Sequence, residues 1–387
     1  MTHLGIITPF PPKYSGVGQY GWHVAHGLAA TSLFHTITVW AEQAPPSVRP
    51  HPPCHHSLQV ERIWRRDSAK DLARLLQAVW AARPDAVWFN AGLTMFGQTR
   101  AVNFLGLLLP WFLRRRRIPV VITLHEVAEA ARLTTLGLQN GALTHLGAHT
   151  ATQLLLQSEA VCVTLSRYIA LLHEHYRVRT IYHFPHGAFS DIKPLPRPPH
   201  APPADILFFT SLAPHRGLNV LLEAFEHVQA ALPRATLTIA GSDHPRYPGY
   251  GAQLRASTQD KTGVRWRGPQ TEAELQTALA ETRVVVLPYL ATSGASSVLH
   301  RAAAAGRAIV ASDLPDLRAT AEDSNLQAEF VPPGEADALA QRLIHLLRNP
   351  ALAEAQAAHN LQAMRPLALE ATSRRYAELI LQVAHAA

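Results

Sequence analysis

Short β-branched runs alternate with longer stretches whose apolar residues recur at helical spacing, and this predicts parallel sheets wound with helices. In the first half the strands are expected at Leu4 to Thr8, Thr36 to Ala41, Ala86 to Asn90, Val120 to His125 and Ala160 to Leu165. Helices are expected from Gln19 to Ala30, across Ala69 to Ala82 and across Leu143 to Ser158, with one basic helix ending near Arg117.

From Ser190 to Asp205 the pattern stops: Pro194, Pro196, Pro198, Pro199, Pro202 and Pro203 stand among almost no large apolar residues, as in an extended connector. The alternation then restarts. Strands are expected at Ile206 to Thr210, Thr236 to Ala240, Val264 to Arg267, Val284 to Pro288 and Ala308 to Ser312, and helices at Leu218 to Ala231, Glu272 to Ala280 and Val298 to Ala305. The tail from Glu335 to Ala387 reads as helical, with Leu339, Leu343, Leu346 and Leu347 on one face. The organisation is therefore a doubly wound domain over 1–190, a linker over 191–204, a second such domain over 205–370, and a last helix over 371–387 that packs back on the first domain.

At 387 residues the chain has room for two domains of ordinary size. With 48% hydrophobic and 16% charged residues it is too apolar for an extended disordered chain. Cys54 and Cys162 are far apart, which excludes a disulfide framework. The start, Met1 to Thr8 followed by Pro9, Pro11 and Pro12, lacks a basic segment ahead of an apolar one, so a cytoplasmic location is expected. A net charge of +7 suits an anionic partner such as a nucleotide or a membrane surface.

Gly16-Val17-Gly18-Gln19-Tyr20-Gly21 spells G-x-G-x-x-G between a strand and a helix, and Glu42 follows near the distance of a ribose-binding acid, so a dehydrogenase has to be weighed. In a dinucleotide site the first glycine turns the chain directly out of the strand. Here Pro9 to Ser15 intervene. That spacing suits instead a loop lining a cleft, its backbone amides approaching a phosphate or a sugar.

Two doubly wound domains, a short linker and a glycine loop after the first strand resemble the GT-B glycosyltransferases, and local wording is similar to the retaining family 4 type. The segments are Pro11 to Gly18, Thr123-Leu124-His125-Glu126, Val163 to Arg167, Phe184-Pro185-His186-Gly187, Leu212 to Leu218 with Leu221 to Phe225, Leu237 to Gly241, Ala302 to Ser312, and Val331 to Gly334. Their order along both halves carries the resemblance.

The resemblance implies two Rossmann-like domains facing across a cleft. The C-terminal one would hold a nucleotide-diphosphate sugar and the N-terminal one an acceptor, with transfer under anomeric retention. No cofactor beyond that donor substrate is implied. His125 and Arg216 would be catalytic, His125 facing the donor sugar and Arg216 holding the diphosphate. The donor side would further include Gly16, Gly18, Gly187, Ser211, Gly217, Gly241, Gly268, Pro269, Ser293, Gly294, Ala295, Ser296, Ser297 and Arg301. Lys13, Tyr14 and Glu126 would lie on the acceptor side. A fixed cation and oriented N–H donors stabilise a departing diphosphate more in the transition state than in the ground state.

Three departures from the family pattern stand out. Arg216 replaces the usual Lys, exchanging a point charge for a planar fork. Ser211 stands where an earlier Arg is usual. In the E-x7-E element Ser293 and Arg301 occupy the two glutamate positions, so serine hydroxyls and the amides opening the next helix would have to serve. Either the chain is a diverged enzyme or it has lost catalysis and binds a nucleotide sugar silently, as a partner subunit would; an epimerase on the same architecture is a third reading.

The chain has no Asp-x-Asp, and metal independence is expected. His51, Cys54, His55 and His56 lack the spacing of a zinc site. Glu126 or Glu129 beside His125 would orient an acceptor or simply open a helix. In 104–117, the apolar residues Phe104, Leu105, Leu107, Leu108, Leu109, Trp111, Phe112 and Leu113 precede Arg114 to Arg117. The ten-residue run Phe104 to Leu113, interrupted by Pro110, is too short to span a bilayer. Two readings are open: peripheral contact with an anionic membrane, within reach of a glycolipid acceptor on the inner face, or a core helix ending in cations. Nucleic acid is not an expected partner.

Overall fold

The computed structural model describes residues 2–12, 15–44, 55–127, 141–178, 180–189, 192–198, 205–259 and 261–386. Two compact units result. The first comprises Met1–Phe189 together with Leu369–Ala387, and the second comprises Ser190–Ala368.

The first unit holds a seven-stranded, wholly parallel sheet: β1 His3–Ile7, β2 Thr36–Glu42, β3 Leu58–Trp64, β4 Ala86–Ala91, β5 Val120–Leu124, β6 Ala160–Val163 and β7 Ile181–His183, in the order β3-β2-β1-β4-β5-β6-β7. Its helices are α1 Gly16–Ala30, α2 Ala69–Ala82, α3 Arg100–Leu107, α4 Leu109–Arg114, α5 Ala142–Leu155 and α6 Arg167–His175. Buried on both faces, β4 and β5 carry unbroken buried runs. The order reverses between β1 and β4, which is where such sheets receive ligands.

The second unit repeats the plan with six parallel strands, β8 Asp205–Phe209, β9 Thr236–Ala240, β10 Val264–Gly268, β11 Val284–Leu287, β12 Ala308–Ser312 and β13 Glu329–Val331, in the order β10-β9-β8-β11-β12-β13. Its helices are α7 Leu218–Ala231, α8 Tyr250–Ala256, α9 Glu272–Glu281, α10 Ser297–Ala304, α11 Pro315–Asp323, α12 Ala336–Arg348 and α13 Pro350–Met364. The last helix, α14 Leu369–Ala386, belongs to the first unit and packs against α1, β4 and β5.

Several elements depart from the sequence expectation. The single basic helix is broken at Leu108 into α3 and α4, because Pro110 in the first turn of α4 has no N–H to carry the ladder on. Of its apolar residues, Leu107, Leu109 and Leu113 are buried, Phe104, Leu108, Trp111 and Phe112 half-buried, and Leu105 exposed, so the stretch contributes three side chains to the core and leaves the rest at its edge. Helix α1 begins at Gly16, three residues before the expected Gln19, because Ser15 caps it by accepting from the Gly18 amide at 3.0 Å. The glycine loop is thus largely the first turn of a helix. Strand β3, with Glu61 and Arg62 in mid-strand, and the short α6, β7, α8, α11 and β13 were outside the expectation.

Candidate functional site

In the second unit the strand order reverses between β8 and β11, and the loops leaving their carboxyl ends are joined: the Leu290 and Ala291 amides donate to the His215 carbonyl at 2.9 and 3.3 Å. After β8 the chain makes a 3-10 turn over Pro214–Arg216, then enters α7 through Gly217 at φ +68°. A Cβ on Gly217 would lie 1.7 Å from the Pro288 carbonyl oxygen. Only glycine lets this turn sit against β11.

The turn presents Arg216. Its guanidinium carbon lies 4.5 Å from the Tyr289 ring centre, while its buried Nε has no hydrogen-bond partner. No carboxylate among the described residues pairs with it. A half-buried cation stacked on an aromatic face, with an unused fork of donors, is suited to an anion. His215 and His244 flank it, with ring centres 6.1 Å apart, beside Tyr247. Burial, and then the charges of Arg216, His244 and Arg246, hold the His215 imidazole down at about 4, so it is neutral at physiological pH. His215, His244, Tyr247 and Tyr289 were not singled out from the sequence; two histidines in loops that follow neighbouring strands were the available signal.

Ser211 is half-buried in the same loop. The expected donor-side amides are partly committed. The Gly241 amide donates to the Gly268 carbonyl at 2.7 Å, and the Gly18 amide to Ser15. Pro269 accepts from the Gln270 side chain at 3.2 Å, and Gly187 lies at φ +78°.

After β11, the 293–297 turn is pinned from α11: the Gly294 amide donates to Asp316 Oδ2 at 2.9 Å and the Ser296 amide to Thr320 Oγ1 at 3.3 Å. Ser296 caps α10 by accepting from Leu299 N at 3.3 Å. Among the described residues, the amides of Ala295, Ser297 and Val298 meet no acceptor. Ser293 sits at the start of this turn. Arg301, expected on the donor side, instead bonds the Glu272 carboxylate of α9, which occupies its charge. Asp316 and Thr320 lay in a helix that the sequence reading missed.

In the first unit, β4 and β5 pair with Asn90 opposite Thr123, so the two-residue period places Trp88, Asn90, Thr123 and His125 on one face. Helices α1 and α14 cover that face. Asn90 Nδ2 donates to Thr8 Oγ1 and to the Val17 carbonyl, both at 2.9 Å, which leaves its Oδ1 to accept from His125 Nε2 at 2.6 Å. This set of partners fixes the Asn90 amide orientation and the His125 tautomer together. His125 also stands nearly perpendicular to the Tyr20 ring at 4.6 Å, and the Tyr20 ring meets His186 at 5.1 Å. Burial, and to a lesser degree His186, lower His125 to about 3, and burial lowers His186 to about 4. His125 is therefore a neutral hydrogen-bonding group, not a charge.

Among the described residues nothing lies within 4 Å of a Cβ placed on Gly16, which opens α1, whereas a Cβ on Gly21 would meet Thr8 Oγ1, so the third glycine serves helix–strand packing. Glu126 is half-buried, and Glu42 is buried at the end of β2 with its carbonyl accepting from Arg62 at 2.9 Å. Lys13, Tyr14, His51, Cys54 and Glu129 lie outside the described residues. His55 stacks on His56 at 4.5 Å and bonds Ser57 Oγ at 2.8 Å. Among the described residues, no group of three or more His, Cys, Asp or Glu is placed to hold a metal, and no helix is long and apolar enough to cross a membrane.

The neutral histidines carry a stability prediction. Between their folded values of about 3 and 4 and the ordinary 6.5, His125 and His186 are unprotonated when folded but take up protons on unfolding. Stability then rises with pH, and it falls as the pH drops below about 6.5 by on the order of 1 kcal/mol per pH unit for each imidazole. Urea unfolding followed from pH 7 to pH 5 is expected to show this fall, and His125→Asn is expected to reduce its slope.

Both sheets, with their switch points, form the two-domain GT-B fold. Solved structures agree along the whole chain: sucrose-phosphate synthase from Thermosynechococcus elongatus superposes with a TM-score of 0.77 at 17% identity, covering 100% of both chains. The Anabaena protein HepE, in complex with UDP and glucose, superposes at 0.73 and 15% identity, covering 98% of this chain and 99% of that one.

Residues 203–349 match the family model described as "Glycosyl transferases group 1", so the second unit carries a domain of that family. The chain is similar to the phosphatidyl-myo-inositol mannosyltransferases of Mycobacterium leprae, at 32% identity over 153 residues and 39% of each chain, and of Mycolicibacterium smegmatis, at 32% over 140 residues, 36% of this chain and 34% of the relative. These matches span 39% and 34% of the relatives' own length.

Proposed function

We propose that the chain is a glycosyltransferase that moves a hexose from a nucleotide-diphosphate sugar to a carbohydrate or lipid-linked acceptor, with retention at the anomeric carbon. The observation that carries this reading is Arg216, a half-buried cation that meets no carboxylate among the described residues, at the switch point of the glycosyl transferases group 1 domain. In the reaction the bond from the anomeric carbon to the diphosphate oxygen breaks, a bond to an acceptor hydroxyl forms, and the acceptor proton is released. Negative charge gathers on the departing diphosphate. Arg216 and the amides of Ala295, Ser297 and Val298 are the groups that would receive it. His125, neutral and with its Nε2 proton given to Asn90, would accept from a sugar hydroxyl at Nδ1 and would contribute no charge.

The names of the mannosyltransferase relatives favour a hexose and a phosphoinositide-type acceptor, and HepE with UDP and glucose favours a nucleotide donor. We place the protein in the cytoplasm with peripheral access to the inner membrane face, Arg115, Arg116 and Arg117 being exposed at the end of α4. No metal is required in this scheme. A second reading, a silent nucleotide-sugar binder, is favoured by Ser293 and by the Glu272-bound Arg301 at the two E-x7-E positions.

The test is to incubate the chain with UDP- and GDP-linked hexoses, with and without phosphatidylinositol vesicles and with EDTA. Acceptor-dependent release of nucleoside diphosphate, and an anomeric configuration unchanged by NMR, are expected. Release without acceptor together with an altered sugar would indicate an epimerase, and binding without release would indicate the silent binder.

A further inference from the structure

Four side chains far apart in sequence are joined beneath His125. Trp88 Nε1 donates to Thr123 Oγ1 at 2.9 Å, Thr123 Oγ1 lies 2.9 Å from the Tyr376 hydroxyl, and that hydroxyl lies 2.8 Å from the Tyr20 hydroxyl. Tyr20 and Tyr376 are fully buried. The Tyr20 ring is also held at 5.2 Å by Phe189 and at 6.2 Å by Trp88. On its remaining side it meets His125. The imidazole thus has two supports, a hydrogen bond from its Nε2 to Asn90 and the perpendicular Tyr20 ring.

Of the groups that set the Tyr20 ring, Tyr376 alone comes from beyond residue 189 and bonds its hydroxyl. A buried phenol deprived of its partner must either stay unsatisfied or turn to seek another, and turning would move the ring face against His125. Burial raises both phenols well above their ordinary value, so both remain protonated donors at any working pH.

We propose that Tyr376, on the C-terminal helix, is a positioning residue for His125, acting through the Tyr20 ring that its hydroxyl fixes. This inference rests on the role given to His125 above, and it makes α14 part of the site of the first unit in addition to part of its core. Tyr376 touches no reacting atom. It governs how sharply the imidazole is held in the Asn90 bond, and so the turnover step more than donor affinity.

The test uses the full chain with ¹⁵N-labelled histidine. In Tyr376→Phe, which removes one hydroxyl and keeps the ring, the His125 nitrogen resonances are expected to shift or broaden away from the single tautomer, with near-UV circular dichroism retained. In Tyr20→Ala the His125 titration is expected to move up by at least one pH unit as water reaches the ring. Ile380→Ala, which removes packing from the same helix at a residue that is itself fully buried, is the structural control and is expected to lower the melting temperature while leaving the His125 signals in place. Unchanged His125 signals in Tyr376→Phe, or equal changes in Ile380→Ala, would overturn the proposal. Where transfer is measurable, kcat is expected to fall at least fivefold in Tyr376→Phe with KM for donor within twofold. A chain that shows the spectroscopic effect but transfers no sugar would sink the transferase reading and leave the positioning role standing.

Discussion

Replacing Arg216 by alanine is expected to weaken nucleoside diphosphate binding by ten- to a hundredfold, measured by calorimetry with UDP and GDP, while leaving the melting temperature unchanged or slightly raised. The affinity loss follows from removing one charge-assisted contact to phosphate, worth about 1.5–3 kcal/mol, where each tenfold in affinity is about 1.4 kcal/mol. The stability forecast has a separate origin. Among the described residues Arg216 makes no ion pair and its buried Nε has no acceptor, so the one interaction its removal is seen to give up is the Tyr289 stack. Arg216→Lys should fall between the two, since an ammonium keeps the charge and loses the planar fork. An unchanged affinity in Arg216→Ala would move the diphosphate elsewhere and remove the observation on which the proposed function stands.

Gly217→Ala should be the most destabilising single methyl that can be added near this site. Its φ of +68° costs a non-glycine residue about 1–2 kcal/mol, and the added carbon would sit 1.7 Å from the Pro288 carbonyl, a backbone atom that cannot swing aside. A total loss of roughly 3–5 kcal/mol is expected, lowering the unfolding transition of the second unit by on the order of 10 °C. Because Gly217 follows Arg216 directly, nucleotide affinity should drop with it. Gly16→Ala is the matched comparison: that position opens a helix, and among the described residues nothing outside the helix lies within 4 Å of the added carbon, so alanine should be neutral there to within about half a kcal/mol. Equal melting temperatures for the two variants would show that the β8–α7 turn is not built as described.

Much of the fold was readable because the information is local. Fully buried parallel strands must be apolar along their whole length, and β4, β5, β8, β9, β11 and β12 announce themselves as runs of Val, Ile, Leu and aromatic residues. Helices α2 and α7 fall on the residues that periodicity predicts, Ala69–Ala82 and Leu218–Ala231. The elements that were missed are those whose signal is diluted: β3 at the sheet edge carries Gln59 and Glu61 on its exposed positions and a half-buried Arg62, and β7 and β13 are three residues each. Helix α11 opens with Pro315 and Asp316, which read as a turn until they are seen to occupy the first helical turn.

The candidate site divides differently. His125 could be singled out because it ends a predicted strand, where parallel sheets place ligand contacts, and Arg216 because the segment Leu212 to Leu218 resembles the family's diphosphate-holding loop. What each of them does depends on partners that no spacing reveals. The Glu272 carboxylate that occupies Arg301 is 29 residues away in the chain, and the Asp316 that pins Gly294 is 22 away. The Asn90 that sets the His125 tautomer comes from the neighbouring strand, through a register that only pairing defines.

The sequence by itself determined that two doubly wound parallel sheets form and that a histidine ends a strand of the first while a cation stands in the loop after the first strand of the second, because burial and strand period are written residue by residue. The tertiary structure alone decided that the cation meets no carboxylate among the described residues, that the histidine is neutral, and that the last helix supplies Tyr376 beneath it. Charge state and orientation are set by desolvation and by hydrogen-bond partners brought together from distant segments, and those quantities exist only once the chain has closed around them.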